Sequence, residues 1–392
     1  MSFSFTGSLD ISKSWMNRAL ILRSYEPGLE IIGSSKAQDV LLLEKCLADL
    51  KAGKKDFYVG LGGTTFRFLA LRVSREIGYF VLRGEKKLFS RPQDELITIL
   101  KQVGVTATFN AEKTEFHIES KGWRSDDDCL VLAVDSSESS QFLTSVLLNS
   151  VHLPFDLQIE TSKVTSEGYF NYTQKMMASL GFAIDELFVS RGQKLLPQKF
   201  HGEVDVSSFA SLAAAAVLAG KVHLTNWNKF SQQPDMDFVA MFKRMAIKFV
   251  TEENNFYISE QRQWSSLKAN LEHCPDLFPI MAVLCAFAEG SSHLYGAHQL
   301  VHKESNRIEK TFELLQRCGF AVEKLDDGLK IHGNPVAKYR HKDLIQFNPD
   351  HDHRMAFAAR LLQLKGFPVQ ITDPDVINKS YPQFYQHTGL EV

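Results

Sequence analysis

Cysteine is scarce in this chain, and no two cysteines lie close together. The five among 392 residues are Cys46, Cys129, Cys274, Cys285 and Cys318. Without a CxxC pair they do not read as a disulfide framework or a zinc site. They are expected to be buried, reduced thiols of a cytoplasmic protein. A long apolar run is missing too. The longest, Leu277 to Ala288, has twelve residues, and a bilayer span needs about twenty, so no membrane partner is expected. The opening MSFSFTGSLDISKSW lacks a basic region followed by an apolar core and does not read as a signal peptide. Neither charge is in excess: 44 Lys and Arg face 46 Asp and Glu, a net of −2. A nucleic-acid partner is therefore not expected, and any anion site must be a local basic cluster. Gly/Ser-rich linkers and low-complexity tracts are also absent.

What is present is a pattern that recurs six times, starting near Lys13, Thr64, Ser139, Ser207, Asp276 and Asp352. Each copy begins with a polar cluster, continues as an apolar helical run, passes a Gly or Pro and ends in a short strand. Units of roughly 65 residues account for the whole chain. The runs SKSWMNRALILRSY, GGTTFRFLALRVS, SSQFLTSVLLNS, SSFASLAAAAVLAG, PDLFPIMAVLCAFAEG and DHRMAFAARLLQLKG are apolar nearly all round, which predicts buried helices. Strands follow, as at Lys221–Asn226 and Phe367–Thr372. Five units carry a second, amphipathic helix. In Ser305–Cys318 the apolar Ile308, Phe312 and Leu315 share one side, and Gly319 ends the helix. Gly104 and Gly181 do the same after Leu96–Val103 and Tyr172–Leu180. Strands are expected next, at VTATF, FAIDEL and FAVEKL. The fold class is thus α/β (α+β), a β-α-β-α-β-β unit repeated three times per domain, with buried helices inside and amphipathic helices outside. The length predicts two domains, broken near Gly202–Val204 and flanking a cleft.

The polar heads of the buried helices carry the chemistry. Lys13, Ser14 and Arg18 open the first. Gly62, Gly63, Thr64 and Thr65 open the second, with Arg67 inside it. Ser139, Ser140 and Gln141 open the third, Asp276 the fifth, and Asp352, His353 and Arg354 the sixth. Between them lie Ser90-Arg91-Pro92, Lys303 to Arg307, and Lys379 to Pro382. Helix capping, worth about 1 kcal/mol, accounts for any single Ser, Thr or Asp. It does not account for Lys13, Arg18, Arg91, Arg307, Arg354 and Lys379, because a charge against an apolar run needs a counter-charge or a ligand. As a set they predict a shared anion site. The DHDH stretch at Asp350–His353 offers two His on opposite faces of an extended segment and no third ligand at helical spacing, so no metal is expected. Gly60–Gly63 is not followed by GK[ST], which argues against a P-loop. There is no GxSxG and no Cys in a basic loop to support a nucleophile–base pair.

Nine segments taken in order, SKSWMNRALIL, GGTTFRFLA, SRPQDEL, SSQFLTSVLL, SEGYFNYT, PDLFPIMAVLCAFAEG, HKESNRIE, DHRMAFA and NKSYPQFY, resemble the EPSP synthase family of enolpyruvyl transferases from about Ser12 to about Tyr385. The resemblance implies a two-lobed inside-out α/β barrel, with residues 12–203 as the first lobe, 1–11 and 204–392 as the second, and the active site in the cleft between them. It implies transfer of the enolpyruvyl group of phosphoenolpyruvate to the 5-hydroxyl of shikimate 3-phosphate, in the shikimate pathway, by a cytoplasmic monomer that needs no cofactor and no metal. Carried over position by position, it puts Lys13, Gly63, Arg91, Gln141, Arg307, Arg354 and Lys379 around phosphoenolpyruvate. It puts Ser14, Arg18, Ser139, Ser140, Ser166, Tyr169 and Lys303 around shikimate 3-phosphate, joined by Lys13, Gln141 and Asp276. Lys13, Asp276, Glu304 and Lys379 are the implied catalytic groups.

The chain departs from the family at Leu61, where Asn is usual, and at Asn306, where Asp could orient a nearby arginine. Further departures are Val301, Gln299 and Ile11. UDP-N-acetylglucosamine enolpyruvyl transferase shares the fold, but its members commonly carry a reactive Cys before their Arg-Pro, and Lys86–Arg91 has none. RNA 3′-terminal phosphate cyclase shares the repeat but should use an adenylated histidine and show a more basic surface. A relative that binds the anions without turnover is the reading that Leu61 and Asn306 would favour.

Overall fold

The computed structural model describes residues 2–162, 164–338 and 343–390. The chain divides into two compact units, Lys13–Gly202 and Met1–Ser12 with Glu203–Val392.

In the unit Lys13–Gly202 the apolar helices are Lys13–Tyr25, Gly63–Ser74 and Gln141–Leu148. Leu20, Ile21, Phe66, Leu69, Leu143 and Val146 are buried, as runs apolar on every side require. Each such side chain contributes about 1.5–3 kcal/mol. Three sheets belong to this unit. One is a parallel pair, Glu30–Ile32 with Lys199–His201. One has four strands in the order Asp56–Gly60, Ile77–Gly84, Glu115–Lys121, Thr106–Phe109, the first pair parallel and the others antiparallel. The third orders Cys129–Ala133, Asp156–Glu160 and Phe188–Val189. Alternation sets the faces: Phe80 faces Ile118 and Leu82 faces Phe116 across the ladder, all four buried. Amphipathic helices Gln38–Lys51, Asp94–Gln102 and Glu167–Ser179 complete the unit.

FAIDEL, residues 182–187, is not the expected strand. Glu186 and Leu187 take φ of 45° and 64°, and Asp185 makes only an isolated bridge to Phe188. The Ala183 backbone bonds instead to the Gln193 side chain, at 2.8 and 2.9 Å. A tight turn therefore replaces the ladder, and the strand begins at Phe188.

In the other unit the apolar helices are Val206–Ala219, Phe278–Ala286 and His353–Leu364. Two four-stranded sheets repeat the same order of one parallel and two antiparallel pairings. They are Phe3–Gly7, Gly220–Leu224, Asn255–Ser259, Phe249–Glu252, and Lys268–Asn270, Ser291–Tyr295, Gly328–His332, Ala321–Leu325. Ile345–Phe347 pairs in parallel with Val369–Ile371. Ile11 bridges Val204, and the Ser12 N–H donates to the Glu203 carbonyl at 2.8 Å, so Ile11 anchors the N-terminal segment. The amphipathic helix Arg307–Arg317 starts where the Asn306 side chain accepts the Glu309 N–H at 3.1 Å. It stops before Gly319, whose φ of 85° favours glycine.

Four of the five free cysteines are buried. Cys129 is only half-buried, at a strand start, which corrects the expectation for that residue. Burial pushes the Cys46, Cys285 and Cys318 thiols up to about 12, which makes them poor nucleophiles.

Candidate active site

In the unit Lys13–Gly202 the polar heads of the helices gather around buried cations. Lys13 opens its helix and its Nζ lies 3.1 Å from Asp39 Oδ2. Asp39 sits in the first turn of helix Gln38–Lys51, where the helix dipole favours a carboxylate. Gly63 opens the next helix. A β-carbon there would lie 2.6 Å from Arg91 Nη1, so glycine permits the close approach of this guanidinium. Arg91 Nε and Nη1 are buried and have no hydrogen-bond partner among the described residues. Arg67 donates to Gln93 Oε1, Ser139 Oγ, Gln141 Oε1 and the Pro92 carbonyl at 2.8–3.0 Å. Gln141 Nε2 in turn donates to Thr64 Oγ1 at 3.1 Å. Arg67 thus ties together the heads of helices Gly63–Ser74 and Gln141–Leu148, with buried Ser140 at the start of the latter.

Arg18 forms a second group. It donates to Thr173 Oγ1 at 2.7 Å, the Ser14 carbonyl at 2.8 Å and the Tyr169 carbonyl at 3.2 Å. These partners are neutral. Burial therefore dominates and lowers the guanidinium to about 10, with Tyr172 and Tyr169 opposing weakly. Ser166, at φ 55°, heads the helix Glu167–Ser179 that carries Tyr169.

In the other unit the site is an ion net. Asp276, in the turn Pro275–Leu277, accepts from Arg307 Nη1 at 2.7 Å and Arg354 Nη2 at 2.8 Å. Glu304 accepts from Lys379 Nζ at 2.9 Å and Arg307 Nη2 at 3.1 Å. Asp352, fully buried, accepts from Arg307 Nε at 2.8 Å and Ser305 Oγ at 3.1 Å, and caps its helix through the Arg354 N–H at 2.9 Å. Arg354 Nη2 also donates to Ser207 Oγ at 2.8 Å, while its Nε and Nη1 are buried without a partner among the described residues. Three carboxylates meet three cations, which lets the charges sit out of water. Burial opposes the charge on Arg307, but Asp352, Asp276 and Glu304 hold it well above its ordinary value.

Burial alone would raise Asp276. Arg354, Arg307 and Lys303 overcome that and hold it well below the usual carboxylate range. A depressed folded-state value means that the contribution of Asp276 to stability is complete above the unfolded value of about 4 and is lost as pH falls through the folded one. Asp276→Asn should therefore flatten the fall of stability below about pH 4 and leave its slope near neutrality unchanged. Urea midpoints across that range check this, and superimposable acid limbs for variant and parent would refute it.

The sequence pattern that defines EPSP synthase (3-phosphoshikimate 1-carboxyvinyltransferase) matches residues 18–388. The chain belongs to the EPSP synthase family. It is 29% identical over 341 residues to the 3-phosphoshikimate 1-carboxyvinyltransferase of Actinobacillus pleuropneumoniae serotype 5b, covering 84% of this chain and 77% of that one. It is 25% identical to the enzyme of Nostoc punctiforme, covering 95% and 93%. Its fold is similar to EPSP synthase from Acinetobacter baumannii, with a TM-score of 0.68, 18% identity and coverage of 98% and 95%. The enolpyruvyl transferase NikO from Streptomyces tendae gives a TM-score of 0.69, 14% identity and coverage of 99% and 94%.

Among the departures from the EPSP synthase pattern, Asn306 is a helix cap, and Arg307 is oriented by three other carboxylates. Gln299 is buried and donates to the Glu272 carbonyl at 2.9 Å, whereas Val301 is exposed. Sequence reasoning missed Asp39 and Gln93, and it placed Arg67 and Asp352 among the helix heads without naming their partners. Arg67 carried a usable signal, a charge inside FRFLA, and Asp352 stood at a helix head. Asp39 and Gln93 carried none, because their partners Lys13 and Arg67 each lie 26 residues away.

Proposed function

We propose that these three groups of side chains carry the family's enolpyruvyl transfer. The chain is an enzyme, a 3-phosphoshikimate 1-carboxyvinyltransferase, and moves the enolpyruvyl group of phosphoenolpyruvate to shikimate 3-phosphate with release of phosphate. In our reading Lys13, Gly63, Arg91, Gln141, Arg307, Arg354 and Lys379 take phosphoenolpyruvate. Ser14, Arg18, Ser139, Ser140, Ser166, Tyr169 and Lys303, with Lys13, Gln141 and Asp276, take shikimate 3-phosphate. The observation that carries this is the pair Arg91 and Arg354, whose Nε and Nη1 atoms are buried without a protein partner among the described residues. A buried donor of this kind is costly until an anion meets it.

The reaction adds the 5-hydroxyl oxygen to the central carbon of phosphoenolpyruvate as the hydroxyl gives up its proton and the methylene carbon gains one. The resulting tetrahedral intermediate then loses a proton from that methyl group and expels phosphate. Glu304, bonded to Lys379, moves the carbon proton, and Lys13 and Lys379 share in proton transfer. Asp276 stays charged at neutral pH, so it accepts a hydrogen bond from the hydroxyl and polarises it. The arginines meet the carboxylate and phosphate oxygens through charge-assisted bonds.

We read each unit as three β-α-β-α-β-β repeats in an inside-out barrel. Three sheets per unit, a shared strand order in the four-stranded ones and six buried apolar helices support this. Free cysteines suit a cytoplasmic setting, and we read the enzyme as a monomer.

Phosphate release from phosphoenolpyruvate by the purified protein tests the reading. Release is expected with shikimate 3-phosphate and not with UDP-N-acetylglucosamine. Release with the sugar nucleotide, or with neither in a folded protein, would overturn it.

A further inference from the structure

A cavity of about 740 Å³ lies in the unit Lys13–Gly202, at the far ends of the helices that begin with Lys13 and Gly63. The last turns of helices Lys13–Tyr25, Gln38–Lys51 and Gly63–Ser74 wall it, together with the start of strand Ile77–Gly84. On helix Lys13–Tyr25 the lining residues Leu20, Arg23 and Ser24 lie about 10–17 Å along the axis from Lys13 at the α-helical rise. The reaction makes no use of it.

Two features define the chemistry of the cavity. Its apolar wall is built by Leu20, Leu47, Leu50 and Ile77, the last 74% exposed. Its charged lining has four cations, Arg23, Lys51, Lys55 and Arg72, against two carboxylates, Glu44 and Glu76, a net of +2. Arg72 is a prepared group: its side chain is buried, its Nε donates to Ser24 Oγ at 2.7 Å, its Nη1 pairs with Glu76 at 2.6 Å, and it stacks 4.4 Å from the Tyr25 ring. Arg23 pairs with Glu44 at 3.3 Å. Lys51 and Lys55 have no carboxylate partner among the described residues, and Lys55 Nζ lies 4.2 Å from the Phe80 ring centroid and 3.4 Å from the Ile77 carbonyl.

We propose that this cavity binds a small monocarboxylate with an apolar body. Carbonyl oxygens at the helix C-termini oppose any anion, and a phosphate dianion more than a single carboxylate, whereas phosphate sites are made by the N–H groups of helix N-termini and nests. A single carboxylate needs only the arginine and lysine side chains, and its body covers the leucines. Compensation of the helix dipoles accounts for cations in the last turns, but not for Lys55 or for the open apolar wall.

Titration calorimetry with benzoate tests this on the whole protein, with phosphoenolpyruvate and shikimate 3-phosphate absent and then present. Benzoate should bind with a Kd of about 1 mM or tighter, and benzyl alcohol about tenfold more weakly. Shikimate 3-phosphate should not displace it. Lys51→Glu with Lys55→Glu, both at exposed positions, should weaken benzoate about tenfold and lower the thermal midpoint by only about 5 °C or less, the cost of two surface charges at a helix end. The proposal fails if benzoate gives no heat up to about 10 mM, if the neutral alcohol binds equally, if shikimate 3-phosphate displaces benzoate, or if the double variant binds like the parent.

Discussion

Replacing Glu304 with Gln should lower phosphate release about a hundredfold while shikimate 3-phosphate still binds within about threefold of the parent affinity. The glutamine keeps the shape of the side chain but cannot exchange a proton. In the parent, one Glu304 oxygen faces Lys379 at 2.9 Å and the other faces Arg307 at 3.1 Å, so both cations lose a counter-charge. The ion net moves from neutral to one excess positive charge, which favours the anionic donor. KM for phosphoenolpyruvate should therefore not rise, and the loss should appear in kcat. Steady-state phosphate release, with calorimetry of shikimate 3-phosphate binding, separates the two. Unchanged turnover would remove Glu304 from the proton path.

Arg307→Met should cost about 3–5 kcal/mol of stability and lower the thermal midpoint by about 10 °C. Arg307 is 1% exposed, and its three nitrogens hold Asp352, Asp276 and Glu304. Asp352 is fully buried, so water cannot replace the lost donors and a carboxylate would be left unpaired. Arg307→Lys should recover little, since one ammonium lacks the planar fork that spans several carboxylates. Thermal melts of both variants check this. A midpoint within about 3 °C of the parent would mean that the net serves catalysis alone.

The candidate site was only partly legible in the sequence. The six apolar runs identified their helices because continuous apolarity demands burial on every side. The polar heads were visible because they interrupt that pattern. FAIDEL misled because its local alternation imitates a strand, whereas Gln193 and two left-handed residues close a turn there. Asn306 looked like the loss of a carboxylate beside Arg307, yet it caps the helix, and that arginine takes its carboxylates from elsewhere.

By itself, the sequence determined the buried helices, most of the strands, the kinds of charged group that had to find partners and, through its ordered motifs, the family. These properties follow from local periodicity, since the backbone hydrogen-bond pattern decides which residues share a face. Only the tertiary structure decided which charge meets which. Arg307 joins Asp276 across 31 residues and Asp352 across 45, Lys379 joins Glu304 across 75, and Arg354 joins Asp276 across 78. No periodicity encodes such pairings. They arise when packing of the apolar helices brings their polar heads together and desolvation makes every unpaired charge expensive.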